Sequence, residues 1–379
     1  MSMLPDIPPF NRDYEFPFTR KLTYLNNASH IPLPTTALKS MLALYDELRE
    51  GIVEAKRHFV VNDICRERIA QFINTRPQQI ALMHSTGEGL NTALWGLEWK
   101  PGDEILTPAN EFPASVYPLL NLAQHKGLTV RYVEEPWTIE RLQNEIGEHT
   151  RGLVFSWAHF AHGEKRNLTE IGALARQHDI RTIVDATQGL GQLSLDLTLE
   201  PVDIICCGAQ KWLAGPMGAG FMWLRRDLVT ALDPPYFYWL GAKRSMDFED
   251  LTEYDHPRFE DARRYEGGTY HHGDIYAFTG SLGMLLAIGA REIETKASAL
   301  ADQVRSEAAK RGIAINLPPG AEPSAIVSLA PPRAVEIKKL LEAEHIATSL
   351  RAGCIRVSPY FYNTPEEISH LFAVIDKLI

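Results

Sequence analysis

The sequence predicts an α/β protein: a mostly parallel sheet flanked by helices in a large domain, followed by a smaller α+β domain. Three observations carry that expectation. Short apolar runs alternate with helical stretches between Ile80 and Cys207, the rhythm of strands joined by helical crossovers. Runs such as Ile204-Ile205-Cys206-Cys207 are apolar at every position, which suits strands covered on both faces. A length of 379 residues fits two domains or one large α/β unit.

The first 20 residues are rich in proline and aromatics and read as an extended arm. Leu38, Met41, Leu42, Leu44, Tyr45 and Leu48 recur at helical spacing, so residues 35–50 form a helix that Gly51 stops. A second helix is expected over 63–74. Strands follow at 80–83, 104–107, 129–133, 152–156, 181–185, 202–207 and 218–224. The helices between them are expected at 89–97, 114–126, 139–146 and 169–178. Residues 236–274 are irregular, aromatic and charged, which suits a structured loop region. One long helix is expected over 275–310. The tail adds a strand at 325–329, a helix at 334–345, a strand at 355–358 and a helix at 365–378. The expected division puts 21–280 in a large cofactor-binding domain, with 1–20 and 281–379 as an arm plus small domain.

Composition narrows the function. Hydrophobic residues make up 45% of the chain, and 38 Lys+Arg against 48 Asp+Glu give a net charge of -10. With no basic cluster, binding to nucleic acid or to an anionic membrane is not expected. The four cysteines, Cys65, Cys206, Cys207 and Cys354, form neither a disulfide framework nor a CxxC zinc motif. The N-terminus lacks a secretory pattern and no run of about 18 apolar residues exists, so a cytoplasmic protein is expected. His159/His162 and His271/His272 lack metal-site spacing, and no metal is expected. GPMGAG at 215–220 lacks the Lys-Ser/Thr of a phosphate loop, and no GxGxxG opens a first crossover.

Four local features point to chemistry. Asp185 ends an apolar run, at the carboxyl edge where open α/β sheets hold ligands. Lys211 lies just past the next buried run, where desolvation would lower its pKa and make it a competent amine nucleophile. Ser85-Thr86-Gly87 links a strand to a helix with small residues, and a helix N-terminus binds phosphate well. Arg356, on a late strand, could fork onto a carboxylate.

The order of these features, with Lys211 following Asp185 by 26 positions, resembles the class V aminotransferase family of fold-type I pyridoxal-phosphate enzymes. That branch includes cysteine desulfurases and isopenicillin N epimerase. The resemblance runs from Tyr24-Leu25-Asn26-Asn27-Ala28 to Tyr362-Asn363-Thr364, with Asp185-x-x-Gln188 and Gln210-Lys211-Trp212-Leu213 as its most specific parts. It implies that Lys211 forms a Schiff base with pyridoxal 5'-phosphate and that Asp185 pairs with the pyridinium nitrogen. Gln188 would hydrogen-bond the phenolic oxygen, and Thr86, Gly87 and Gln210 would serve the phosphate. Phe112 would stack on the ring, and Thr269 would reach the phosphate of a neighbouring subunit in a homodimer with shared active sites. Arg356 would bind the carboxylate of an amino-acid substrate.

Departures also stand in the sequence. Gly208 replaces a common Ser, and Gln210 a common His or Tyr. Phe160 sits where many members have Asn and cannot donate, so His159 is expected to bind substrate instead. Desulfurases carry a longer loop with a nucleophilic Cys before the Arg strand. Here Arg351-Ala352-Gly353-Cys354 runs straight into that strand, so Cys354 is expected to pack as an apolar residue. The activity expected first is aminotransferase-like. The alternatives are an epimerase, a carbon–sulfur or β-eliminating lyase that includes the desulfurase type, and a catalytically silent scaffold.

Overall fold

Seven strands form the central sheet: β1 (Ile80–Met83), β2 (Glu104–Pro108), β3 (Thr129–Val133), β4 (Thr150–Ser156), β5 (Arg181–Asp185), β6 (Ile204–Gly208) and β7 (Gly220–Leu224). Their spatial order is β1-β7-β6-β5-β4-β2-β3. Only β7 runs against its neighbours; β6, β5, β4, β2 and β3 pair in parallel. This is a computed structural model, and it describes residues 4–52, 54–245, 247–268 and 270–379.

Every residue of β1, β6 and β7 is buried, because helices cover both faces. One face packs α3 (Thr86–Gly96) and α4 (Pro113–Lys126) through Leu90, Leu94, Leu119 and Leu122. The other carries α6 (Leu168–Gln177) and α7 (His272–Ile288), together with the main core; α5 (Ile139–Glu145) lies beside α6. Helix α7 is buried along most of its length. It packs against α1 (Thr35–Arg49) and α2 (Ala55–Phe72).

The second sheet has four antiparallel strands, β8 (Ala314–Ile315), β9 (Val327–Ala330), β10 (Ser349–Arg351) and β11 (Cys354–Val357), in the order β8-β9-β11-β10. Helices α8 (Ala290–Lys310), α9 (Ala334–Ala343) and α10 (Pro365–Ile375) complete the region. Thr23–Tyr24 pairs in parallel with Ile346–Ala347, tying the start of the chain to this end. Among the described residues, no single helix is long and apolar enough to cross a membrane.

The parallel-sheet expectation holds, and two local expectations are corrected. The helix expected over 275–310 breaks at Gly289, where φ is +95°, a conformation that favours glycine and ends α7 before α8 turns away. The arm is not simply extended: Arg12–Glu15 form a helical turn capped by Asn11, and Pro17–Arg20 a 3-10 turn. These turns seat Phe16 against Tyr362, with ring centroids 4.2 Å apart, and bury the Glu15 carboxylate against the Thr36 N–H at 2.9 Å.

Candidate active site

The carboxyl ends of β1, β2, β4, β5 and β6 meet at one edge of the sheet. That follows from their shared direction, since β1 is antiparallel to β7 and β7 to β6. Asp185 is the last residue of β5 and is 5% exposed. Its Oδ1 accepts the Thr187 N–H at 2.9 Å. Burial raises the pKa of this carboxyl; the Thr187 hydrogen bonds and then the Lys211 charge oppose that rise.

Lys211 follows β6 by three residues. The residue is half-buried. Burial brings its pKa from 10.5 down to about 8; Asp185 pulls upward and Arg356 pushes further down. The ammonium lies over the Phe112 ring, 5.3 Å from the centroid. Phe112 caps α4 and meets Phe160 edge-to-face at 5.3 Å.

The corner beside Lys211 is polar and narrow. Thr86 opens α3, where the first N–H groups have no intrahelical acceptor. Its Oγ1 meets Thr187 Oγ1 at 2.7 Å. The buried Gln210 Oε1 has no partner among the described residues. A Cβ on Gly208 would lie 2.4 Å from that oxygen and 3.0 Å from Thr86 Oγ1, so glycine keeps the corner open. Thr86, Gly87 and Gln210 could therefore hold an anionic group at the helix N-terminus, next to an amine and a buried carboxylate. That donor set fits a cofactor with a phosphate, an aldehyde and a basic ring nitrogen.

Gln188 is also engaged within the protein. Its Nε2 donates to Ala28 O and its Oε1 accepts the Trp212 indole N–H, both at 2.9 Å. One amide hydrogen remains for a ligand.

Arg356 is 2% exposed. Its guanidinium donates to Ser349 Oγ at 3.1 Å, and to Phe160 O and Ser29 Oγ at 2.5 Å. It forms no ion pair among the described residues. Burial, then the Arg351 charge, lowers its pKa to about 10. A buried cation without an anion is costly, and a carboxylate arriving from the cleft would relieve that cost.

His159, expected to bind substrate, spends both nitrogens inside the protein. Its Nδ1 accepts the Ala161 and His162 N–H groups at 3.2 and 3.3 Å. The proton therefore resides on Nε2, which donates to Asn110 O at 2.9 Å. Burial, then the His162 charge, holds its pKa down at about 4. The ring stacks on His162 at 3.6 Å, and with Glu135 the pair resembles a metal cluster. The tautomers oppose that: His162 Nδ1 also accepts a backbone N–H, from Glu164 at 3.2 Å, and its Nε2 lies 2.8 Å from Glu135. A metal on either Nε2 would need the ring proton moved to Nδ1, against a backbone N–H.

Several residues that sequence reasoning missed hold this site. The Glu111 carboxylate accepts the Phe112 N–H at 2.7 Å, the Ser156 N–H at 2.8 Å and Arg166 Nη1 at 3.2 Å. It clamps the Phe112 segment to the end of β4. Arg166 is fully buried among Glu111, Glu135 and Glu164. The adjacency of Glu111 to Phe112 is a usable signal, whereas nothing local marks Arg166 or Ser29. Thr269 lies outside the described residues.

One prediction follows from Lys211. Only the neutral amine attacks a carbonyl, so capture of pyridoxal phosphate by the apoprotein should speed up with pH, with a midpoint near the lysine's value of about 8. Asp185 raises that value, so in Asp185→Asn the midpoint should move lower. Because the lysine's pKa is lower folded than unfolded, the apoprotein should also gain stability as pH rises from about 8 toward 10.5. Stopped-flow absorbance checks the first point; a midpoint near 10.5 would mean an ordinary exposed lysine.

Known proteins share this architecture. An uncharacterised aminotransferase, YcbU, of Bacillus subtilis is 23% identical over 355 residues, covering 94% of each chain. A probable cysteine desulfurase of Methanothermobacter thermautotrophicus is 24% identical and covers 96% of each. Among solved structures, a cysteine desulfurase from Thermococcus onnurineus superposes with a TM-score of 0.88 at 20% identity, over 99% of this chain and 98% of that one. The cystine C–S lyase C-DES, in complex with cysteine persulfide, superposes with a TM-score of 0.86 at 25% identity, over 95% of this chain and 99% of its own. These structures establish the fold-type I architecture expected above. The sequence pattern of the family described as Aminotransferase class-V matches residues 23–371, and the chain accordingly belongs to this pyridoxal-phosphate-dependent family.

Proposed function

We propose that the chain is a carbon–sulfur lyase that eliminates sulfur from the β-carbon of an amino acid. The observation that carries this assignment of the site is the buried Arg356, without an ion pair among the described residues and in the electrostatic field of Lys211. Arg356 takes the substrate's α-carboxylate. Asp185 would pair with the positive ring nitrogen of the cofactor, Thr86, Gly87 and Gln210 would hold its phosphate, and Phe112 would pack against its ring. Bound pyridoxal phosphate supplies an electron sink for the carbanion formed when Cα loses its proton. The Lys211 amine, which burial brings to a pKa of about 8, would be the base that takes that proton.

Two arguments favour elimination over the aminotransferase-like activity expected first. Sulfur departs as a thiolate at near-neutral pH and needs no strong general acid, and the pKa of Lys211 suits it to proton transfer. The solved structures it resembles include a cystine C–S lyase at 25% identity. A desulfurase of the persulfide-enzyme type needs a mobile thiol. Cys354 instead sits 8% exposed on β11, joined to β10 by only Ala352 and Gly353.

We also propose a division of labour in which 21–280 holds the cofactor and 281–379, with the N-terminal arm, holds the substrate carboxylate. In the same proposal the protein is a homodimer. The exposed Leu38, Leu42 and Tyr45 stripe on α1 is the apolar surface that a second copy would cover.

The test is product analysis on the yellow holoenzyme. With L-cystine or an S-substituted cysteine and no 2-oxo acid, pyruvate, ammonia and a thiol or persulfide should form. Cys354→Ala should retain most of that activity. Turnover only when a 2-oxo acid acceptor is supplied would replace lyase with aminotransferase. A persulfide trapped on Cys354, with sulfide release lost in the alanine variant, would make the enzyme a desulfurase, and a colourless protein would make it a scaffold.

A further inference from the structure

The β10–β11 hairpin carries a second arginine on the face used by Arg356. Register pairs Ser349 with Arg356 and Arg351 with Cys354. Directly opposite residues of an antiparallel pair share a face, as do residues two apart on one strand. Ser349, Arg351, Cys354 and Arg356 therefore line one face, and the two arginines are diagonal neighbours. That face is turned toward the segment that carries Phe160, since Arg356 Nε meets Ser349 Oγ at 3.1 Å and its Nη1 reaches Phe160 O.

The hairpin holds this geometry. Its two turn residues, Ala352 and Gly353, have φ of +48° and +77°, the pattern of the tight two-residue turn that matches strand twist. Arg351 therefore leaves from an ordered strand end. Its guanidinium is exposed and donates to the carbonyl of its neighbour Leu350, at 2.8 Å. Like Arg356, it forms no ion pair among the described residues. Its charge acts on both Lys211 and Arg356, so the guanidinium sits within electrostatic reach of the reacting end. A strand arginine spaced from a like charge, with neither paired to an acid among the described residues, is an arrangement for two anions on one ligand.

We propose that Arg351 binds a second carboxylate, carried at the far end of the substrate's side chain, so that the enzyme selects dicarboxylic amino acids such as the disulfide- or thioether-linked kind. This rests on the assignment of Arg356 as the α-carboxylate site. In such a substrate Arg356 fixes the α-carboxylate beside Lys211, and Arg351 fixes the distal carboxylate toward the cleft mouth. Charge assistance strengthens the Arg351 contact, and exposure to solvent reduces it. A gain of about tenfold from the second carboxylate is therefore expected.

The experiment titrates the holoenzyme with unreactive acids, following cofactor absorbance and, separately, calorimetry. Butyrate reports the Arg356 site alone; glutarate, adipate and pimelate report both. At least one dicarboxylate should bind about tenfold tighter than butyrate. In Arg351→Gln that advantage should fall to within about twofold, while butyrate affinity changes little, and Arg351→Lys should restore part of it. Equal binding of butyrate and all three diacids by wild type would overturn the proposal, as would an advantage that survives Arg351→Gln. Failure of the underlying assignment is distinguishable, because butyrate binding would then be insensitive to Arg356→Gln.

Discussion

Lys211→Ala is expected to lower turnover by at least about 10⁴-fold, the upper end of what a positioned acid–base group contributes, with the fold intact. The side chain lies beyond the end of β6, and burial sets its pKa near 8. It is thus a usable amine at neutral pH. Loss of the amine removes both the covalent anchor and the proton carrier at Cα. The folded state gains little from that ammonium, because its lowered pKa means that charging it in place is unfavourable. The variant should therefore keep its far-UV circular dichroism spectrum. Borohydride reduction of wild type should leave a phosphopyridoxyl group on Lys211, read by peptide mass. Recovery of the label on another lysine would end the assignment.

Asp185→Asn is expected to cost roughly 10²–10³-fold in turnover, the scale for removing one preorganised electrostatic partner. Asparagine preserves the shape and can still accept the Thr187 N–H now held at 2.9 Å. What it removes is the anion at the carboxyl edge of β5. That anion is raised in pKa by burial, so keeping it ionised opposes folding at neutral pH. The apoprotein variant should accordingly be no less stable than wild type while its turnover collapses. Steady-state kinetics and thermal melts on the same preparation check both halves. Near-normal turnover would show that Asp185 faces no charged ring nitrogen.

How these two residues reach one another is legible in the sequence. Apolar runs of four to six residues ended by small or polar residues mark buried strands and their exits. Asp185 and Lys211 stand at two such exits, and parallel neighbours β5 and β6 bring them to the same edge. The boundaries of β1, β3 and β5 agree with the apolar runs to the residue. The glycine break between α7 and α8 is less legible, since the residues on both sides of Gly289 continue a helical pattern.

The strand–helix order, the family resemblance and the positions of Thr86, Asp185 and Lys211 at or just past strand ends are each written in a local run or turn, which is why the chain's residues alone suffice to place them. What completes them comes from packing. Ser29 meets Arg356 across 327 positions, and Arg166 gathers three glutamates from separate segments. His159 has its nitrogens consumed by backbone groups. The face shared by Arg351 and Arg356 emerges from pairing register. Local periodicity constrains which way a side chain faces within one element; it carries no information about which distant backbone carbonyl, hydroxyl or carboxylate will be packed against it. That is fixed when the elements are packed together and each buried polar group must find a partner.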